Sequence, residues 1–149
     1  MKKLITTLIL LALFGVVQGQ RSDKNTFLLS GYSGAVFSND VPLSDELLIG
    51  IEGNYFVTRG ISITGGVDYL SAGDGRGLIA LGTRFYPNGG TFFLRHRSMI
   101  NFANRFSNDF LLGIGKDFMI GDKWTVEGNL DYHFVLRGVG VRVGIGVFL

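Results

Sequence analysis

His96 and Ser98, in the run FFLRHRSMI, are the closest approach to a reactive pair in this sequence. Two apart on an extended chain, they point the same way. A histidine beside a serine hydroxyl can take its proton and leave a nucleophile, and Asp109, which opens the next extended segment, is the candidate acid to orient the imidazole. The competing reading is a polar pair at the rim of a wall, bonding phosphate groups or simply exposed. His133 stands beside Asp131 on one face, and one histidine with one carboxylate falls short of a metal ligand set. That pair reads as interior hydrogen bonding, with no metal and no cofactor expected. The glycine runs GDGRG (73–77) and GVGVRVGIG (138–146) look like phosphate cradles. No helical pattern follows either, so they read as a turn and a curved strand.

The sequence contains no cysteine. This excludes disulfides, thiol chemistry, cysteine-built zinc sites and the acylated cysteine of a lipoprotein. Residues 1–19 read as a secretory signal peptide: two lysines, an apolar run from Leu4 to Val17, and a small-residue exit before Gln20. The run is shorter than the roughly 20 residues a membrane helix needs. Residues 20–149 then form one domain. The formal charge of +2 belongs to Lys2 and Lys3, so the remainder is neutral. No basic face for nucleic acid is implied.

The chemistry-bearing residues must be positioned by strands, because period-two patterns recur after the leader and no helical period does. The first strand, about Thr26 to Phe37, changes phase midway, which predicts a bulge at Gly31 or Gly34. The second sets Leu47, Ile49, Ile51, Gly53, Tyr55 and Val57 on one face. After the tight turn at Arg59-Gly60 the third sets Ile61, Ile63, Gly65, Val67 and Tyr69 on the same face. The fourth (Leu78 to Tyr86) and fifth (Phe92 to Ile100) flank the turn PNGG. The sixth carries Phe110, Leu112 and Ile114, and Gly121-Asp122 turns it into the seventh, Trp124 to Phe134. The eighth, VGVRVGIGVFL, has an apolar residue at every second position from Val139 to Leu149. The fold class expected is all-β, an eight-stranded antiparallel up-and-down barrel.

Alternation leaves open which row faces inward. Aromatics at the ends of the apolar rows (Tyr55, Tyr69, Phe92, Trp124, Tyr132, Phe134) and aliphatics between them suit a wall that meets two membrane interfaces. The apolar rows then face lipid and the polar rows face inward. An eight-stranded interior is only wide enough for its own side chains. Glu52, Asp68, Glu127 and Asp131 there meet Arg84, Arg95, Arg97 and Arg142 at similar heights, with Asp131 and Arg142 a pair across adjacent strands. A plug of ion pairs and trapped water is expected, not a porin channel.

The units GNYFVTRGISITGGVDY, GTRFYPNGG and GIGKDFMIGDKWTVEGNLDY, each strand, tight turn, strand, resemble the small eight-stranded outer-membrane barrels of the OmpX and OmpA transmembrane-domain type and the short barrel proteins common in Bacteroidota. The terminal strand resembles the closing strand that the barrel assembly machinery recognises. The resemblance implies an integral outer-membrane protein of a Gram-negative bacterium with both termini and the tight turns at Arg59, Asn88 and Asp122 periplasmic. The loops beginning near Ser38, Ser71, Asn101 and Val135 would face outside. They are short, which weakens an adhesin role. Arg105 in one of them is a candidate contact for anionic lipopolysaccharide.

His96 and Ser98 on a lipid-facing wall also resemble the His-x-Ser pair of the lipid A 3-O-deacylase family. This chain departs from that family in having Met99 and Ile100 after the serine, in its aspartate at 109, and in the pair's distance from the chain's end. The expectation is therefore a structural or interaction barrel without catalysis, touching outer-membrane lipid, lipopolysaccharide and an unidentified outer-membrane protein partner. A lipid A acyl hydrolase is the first alternative. A soluble periplasmic ligand-binding barrel, with the faces reversed, is the second.

Overall fold

The structure is a computed structural model that describes residues 24–38, 46–71, 75–87, 90–101 and 108–149. The signal peptide, the Pro42 loop, Gly73 and Asp74 of GDGRG, the Asn88-Gly89 turn and Arg105 lie outside the described residues. Eight strands follow one another: β1 Phe27–Ser38, β2 Glu46–Thr58, β3 Ile61–Leu70, β4 Arg76–Phe85, β5 Phe92–Asn101, β6 Asp109–Ile120, β7 Trp124–His133 and β8 Gly138–Phe148. Each pairs antiparallel with the next, and β8 closes on β1 into a barrel. Closure leaves no unpaired strand edge, which in a membrane or in water removes a row of unsatisfied backbone groups.

β1 corrects one expectation. Its register runs without a break from Phe27↔Tyr55 to Val36↔Glu46 on one side and from Leu28↔Phe148 to Ser38↔Gly138 on the other, so neither Gly31 nor Gly34 is bulged. The apparent change of phase has another cause. The inward row of β1 holds Leu28, Tyr32 and Val36, all buried, while its outward row holds Gly31 and Ser33. The single irregularity between β2 and β3 falls between Phe56 and Thr58, beside the tight turn. There Gly60 adopts φ +84°, and a Cβ at that position would lie 2.7 Å from the Tyr86 carbonyl oxygen. Both the backbone conformation and the close approach select glycine.

The β2–β3, β4–β5 and β6–β7 connections define one end of the barrel, the tight-turn end. Both chain ends of the barrel meet it: Asn25 N–H donates to Phe56 O at 2.8 Å, and Phe148 N–H donates to Lys123 O at 2.8 Å. The other end, the loop end, holds the remaining connections. Strands of 10 to 13 residues, tilted as barrel strands are, span about 25 Å along the axis, the height of an outer-membrane apolar band.

The interior has three layers. An apolar cluster of Leu28, Phe56, Tyr86, Phe93 and Phe148, with Met119 against it, fills the tight-turn end. A second cluster, including Val36, Leu48, Leu70, Leu78, Met99 and Leu111, fills the loop end. Between them lie the charged and polar side chains.

Candidate functional site

The middle layer is built by strand parity. Glu52 and Asn54 from β2, Thr64 and Asp68 from β3, Arg84 from β4, Arg95 and Arg97 from β5, Glu127, Asn129 and Asp131 from β7 and Arg142 from β8 all point inward and are buried. Glu52 is the hub. One carboxylate oxygen contacts Arg84 directly, and the other lies 3.2 Å from Arg95 Nη2 and 3.3 Å from Arg97 Nε. Each of those arginines reaches a second acid. Arg84 Nη1 is 2.7 Å from Glu127, Arg95 Nε is 3.4 Å from Asp131, and Arg97 Nη2 is 3.1 Å from Asp68. Arg142 Nε donates to Asp131 Oδ2 at 2.8 Å, and Nη2 makes a second contact with the same oxygen. Its register partner on β7 is Asn129, so this pair is diagonal across the two strands. All eight charged residues singled out from the sequence thus meet in one network.

Several members of the network were not singled out from the sequence. The Tyr32 hydroxyl accepts from Arg97 Nη1 at 2.8 Å and donates to Asp68, and the Arg97 and Arg142 guanidinia lie over its ring at 5.6 and 5.1 Å. Tyr32 was hidden by the uncertain phase of the first strand. The Tyr86 hydroxyl donates to Asp117 Oδ2 at 3.0 Å and accepts from Arg84 at 3.4 Å. Asp117 was legible, because outward Phe110, Leu112 and Ile114 fix every odd position of β6 inward. Asn129 accepts from Arg95 at 3.0 Å, and the Thr64 hydroxyl donates to Asn54 at 2.7 Å. Ion pairing among these buried arginines and acids offsets part of the cost of taking them out of water.

The outward face is the converse. Ile49, Ile51, Ile63, Val67, Leu81, Ile114, Val143 and Ile145 are exposed in the middle of the wall. Tyr55, Phe85, Phe92, Phe118 and Trp124 ring the tight-turn end, while Phe37, Tyr69, Phe110, Tyr132 and Phe134 ring the loop end. The six aromatics proposed for the interfaces all point outward and fall in these two rings. Lys116, also outward, lays its ammonium over Phe92 and Phe118 at 4.9 and 4.8 Å.

The candidate hydrolytic set separates. His96 and Ser98 share the outward face, with Ser98 Oγ 3.4 Å from His96 Nε2 and the imidazole against the Phe110 ring at 4.8 Å. Asp109 does not join them. It pairs in register with Met99, an inward residue, and so lies inside the wall. Its Oδ2 is 2.7 Å from His133 Nδ1, and its Oδ1 accepts from Val135 N–H at 3.0 Å. This corrects two expectations at once: Asp109 cannot orient His96, and His133 takes Asp109 as its partner, not Asp131. His96 is the central outward residue of β5, flanked by Leu94 and Ser98, and Ser98 pairs with Phe110 of the loop-end ring.

No family model matches the chain, and no curated protein matches it either. Solved structures do. A designed transmembrane β-barrel is similar at a TM-score of 0.63 and 11% identity, covering 90% of this chain and 100% of the design. The N-terminal β-barrel domain of OprF from Pseudomonas aeruginosa is similar at a TM-score of 0.59 and 14% identity, covering 85% of this chain and 98% of that domain. A second design, TMB2.3, has a TM-score of 0.55 at 10% identity, with 86% and 97% covered. At such identities the likeness is one of fold: a closed eight-stranded barrel of the kind transmembrane β-barrels have.

Proposed function

We propose that this chain is an integral barrel of a Gram-negative outer membrane, acting as a structural or interaction element and not as a general pore. The observation that carries the reading is the sorting of its side chains: the arginines and acids at mid-strand are inside, and a belt of exposed aliphatics runs outside between two aromatic rings. Soluble monomers rarely expose apolar patches beyond a few hundred Å², and an apolar belt around a barrel, interrupted only at a few positions such as Ser33, Thr83, His96 and Ser98, calls for lipid. The likeness to transmembrane barrels, designed and natural, supports the same reading. A soluble ligand-binding barrel would need the apolar rows inside, the reverse of this arrangement.

Closure against ions and solutes follows from the filling. The two apolar clusters stop the ends, and the charge network occupies the middle. The partners that fit are outer-membrane lipid, lipopolysaccharide, the barrel assembly machinery through β8, and an outer-membrane protein as yet unidentified. Both termini and the tight turns face the periplasm in this reading. Running the outer-membrane fraction on a denaturing gel with and without heating tests it. A closed barrel in lipid shifts mobility on heating, whereas recovery in the soluble periplasmic fraction without a shift would overturn the reading.

The structural reading is favoured over hydrolysis of lipid A because, with Asp109 inside the wall, His96 has no orienting acid on its own side among the described residues. Mass spectra of lipid A from wild-type, Ser98→Ala and deletion strains should show identical acylation. A deacylated species lost in both altered strains would restore the enzyme reading.

A further inference from the structure

Lys116 of β6 stands on the outward wall at the level of the tight-turn ring. Its register partners are Phe92 of β5, an aromatic of that ring, and Gly128 of β7. The ammonium lies over Phe92 at 4.9 Å and over Phe118 at 4.8 Å. Phe118 is two residues nearer the turn, so the side chain leans toward the tight-turn end, as a lysine does when its stem lies on apolar surface and its charge seeks a polar boundary. On the other flank Gly128 leaves the wall open, since a Cβ there would meet nothing within 4 Å. Toward the loop end the next outward residues on these three strands are Leu94, Ile114 and Leu130. With Leu112, Tyr132 and Val139 they wall an outward hollow of about 420 Å³. A cation thus stands at the mouth of an apolar hollow. Lys24, Arg59 and Lys123 are exposed at the same end, against Asp122 among the described side chains, so this end is positive.

We propose that Lys116 and the hollow beside it bind an anionic phospholipid, with the phosphate on the ammonium and an acyl chain laid along Ile114 and Leu130. The inference rests on the lipid-facing reading and names the lipid. Charge complementarity selects an anion, because the ammonium donates to phosphate oxygens and the other cations of this end draw negative headgroups toward it. The two rings that hold the ammonium restrict its rotamers before a ligand arrives, which lowers the cost of ordering it. The hollow selects an amphiphile, since a free phosphate would leave its apolar walls unused. Depth agrees with both. Headgroups lie at the level of an aromatic ring, and a chain running from Lys116 toward the loop end runs toward the middle of the bilayer. With the tight turns in the periplasm, the ligand is a phospholipid of the periplasmic leaflet. One basic side chain at such a surface favours an anionic headgroup over a zwitterionic one about fivefold.

Mass spectrometry of the intact barrel with its bound lipid provides the test. The purified protein is folded in detergent, its fold is checked by the heat-dependent gel shift, and it is offered equal amounts of phosphatidylglycerol and phosphatidylcholine with the same acyl chains. The expected result is a single retained phosphatidylglycerol, about fivefold over phosphatidylcholine. Lys116→Gln should bring the two lipids close to parity. Lys116→Arg, which keeps the charge, and Arg137→Gln, at an exposed position of the loop end, should both keep the preference. Glycerol phosphate, which has the headgroup charge without the chains, should not displace the lipid. Equal retention by the wild type, an unchanged preference in Lys116→Gln, a loss in Arg137→Gln, or displacement by glycerol phosphate would each overturn the inference. Lipid A retained ahead of phosphatidylglycerol would overturn it too, giving the site to lipopolysaccharide. All of these outcomes come from a folded barrel. Absence of the gel shift and of association with phospholipid vesicles would instead bring down the membrane reading itself, and this inference with it.

Discussion

Removing the Glu52 carboxylate is the sharpest test of the interior. In Glu52→Ala three guanidinia lose a common counter-charge: Arg84 in direct contact, Arg95 at 3.2 Å and Arg97 at 3.3 Å. At an effective dielectric of about 20, each contact at such a distance is worth about 5 kcal/mol before solvation. Burial of the carboxylate itself costs several kcal/mol, and its removal returns that. Each arginine also keeps one acid, namely Glu127, Asp131 and Asp68 respectively. The net loss expected is therefore that of breaking a buried pair from one side, about 3–5 kcal/mol. This raises the unfolding constant roughly a hundredfold to a few thousandfold. The assay is urea unfolding of the barrel in lipid vesicles, followed by the unheated gel band and by fluorescence of Trp124, the one tryptophan of the sequence. Glu52→Gln, which keeps the size and the acceptor oxygen, should fall between wild type and alanine. A loss below about 1 kcal/mol for Glu52→Ala, the range of solvent-exposed ion pairs, would refute the claim that this network is buried and coupled.

Three further outcomes are expected. Ile51→Lys, at an exposed mid-wall position, should destabilise the barrel in a bilayer by about 2–4 kcal/mol; a neutral or stabilising effect in urea titration would argue that water, not lipid, meets that wall. Gly66→Ala should be harmful and Gly65→Ala tolerated, although they are adjacent. The inward Cβ at 66 would sit 2.8 Å from Ile51 O and 3.1 Å from Arg97 Nη2, while at 65 the nearest neighbour, Leu81 Cδ2, is 4.0 Å away; comparable folding yields for the two would contradict the assignment of faces. Asp109→Ala should cost about 1–3 kcal/mol by stranding His133 Nδ1 and the Val135 N–H, with faster hydrogen exchange at the β7–β8 connection as its local sign and no change in lipid A acylation.

Strand number, strand order and the direction of most side chains were legible in the sequence, because a period of two is a direct consequence of extended backbone, and a closed one-sheet wall gives each strand one row inward and one outward. The eight interior charges could be named from parity alone. Where parity was ambiguous, the reading failed: TFLLSGYSGAVF offers apolar residues on both faces, so Tyr32, a centre of the network, went unnoticed and a bulge was expected where the register is continuous. Asp109 is the opposite case. Its place at the opening of the next strand made it a candidate to orient His96, but its inward parity, already implied by Phe110, Leu112 and Ile114, puts the wall between them.

What the sequence by itself determined is therefore the barrel, its two faces and the composition of its interior, since each follows from which neighbours a residue has at one and two positions along the chain. What the tertiary structure decided is which charge meets which: that Glu52 gathers three arginines from β4 and β5, that Asp131 takes Arg142 diagonally, that His133 belongs to Asp109, and that Thr83 lies beside His96. Those pairings depend on the register and tilt with which eight strands close on one another. Closure is a property of the whole ring, and a shift of two residues at any seam would preserve every face while exchanging every partner.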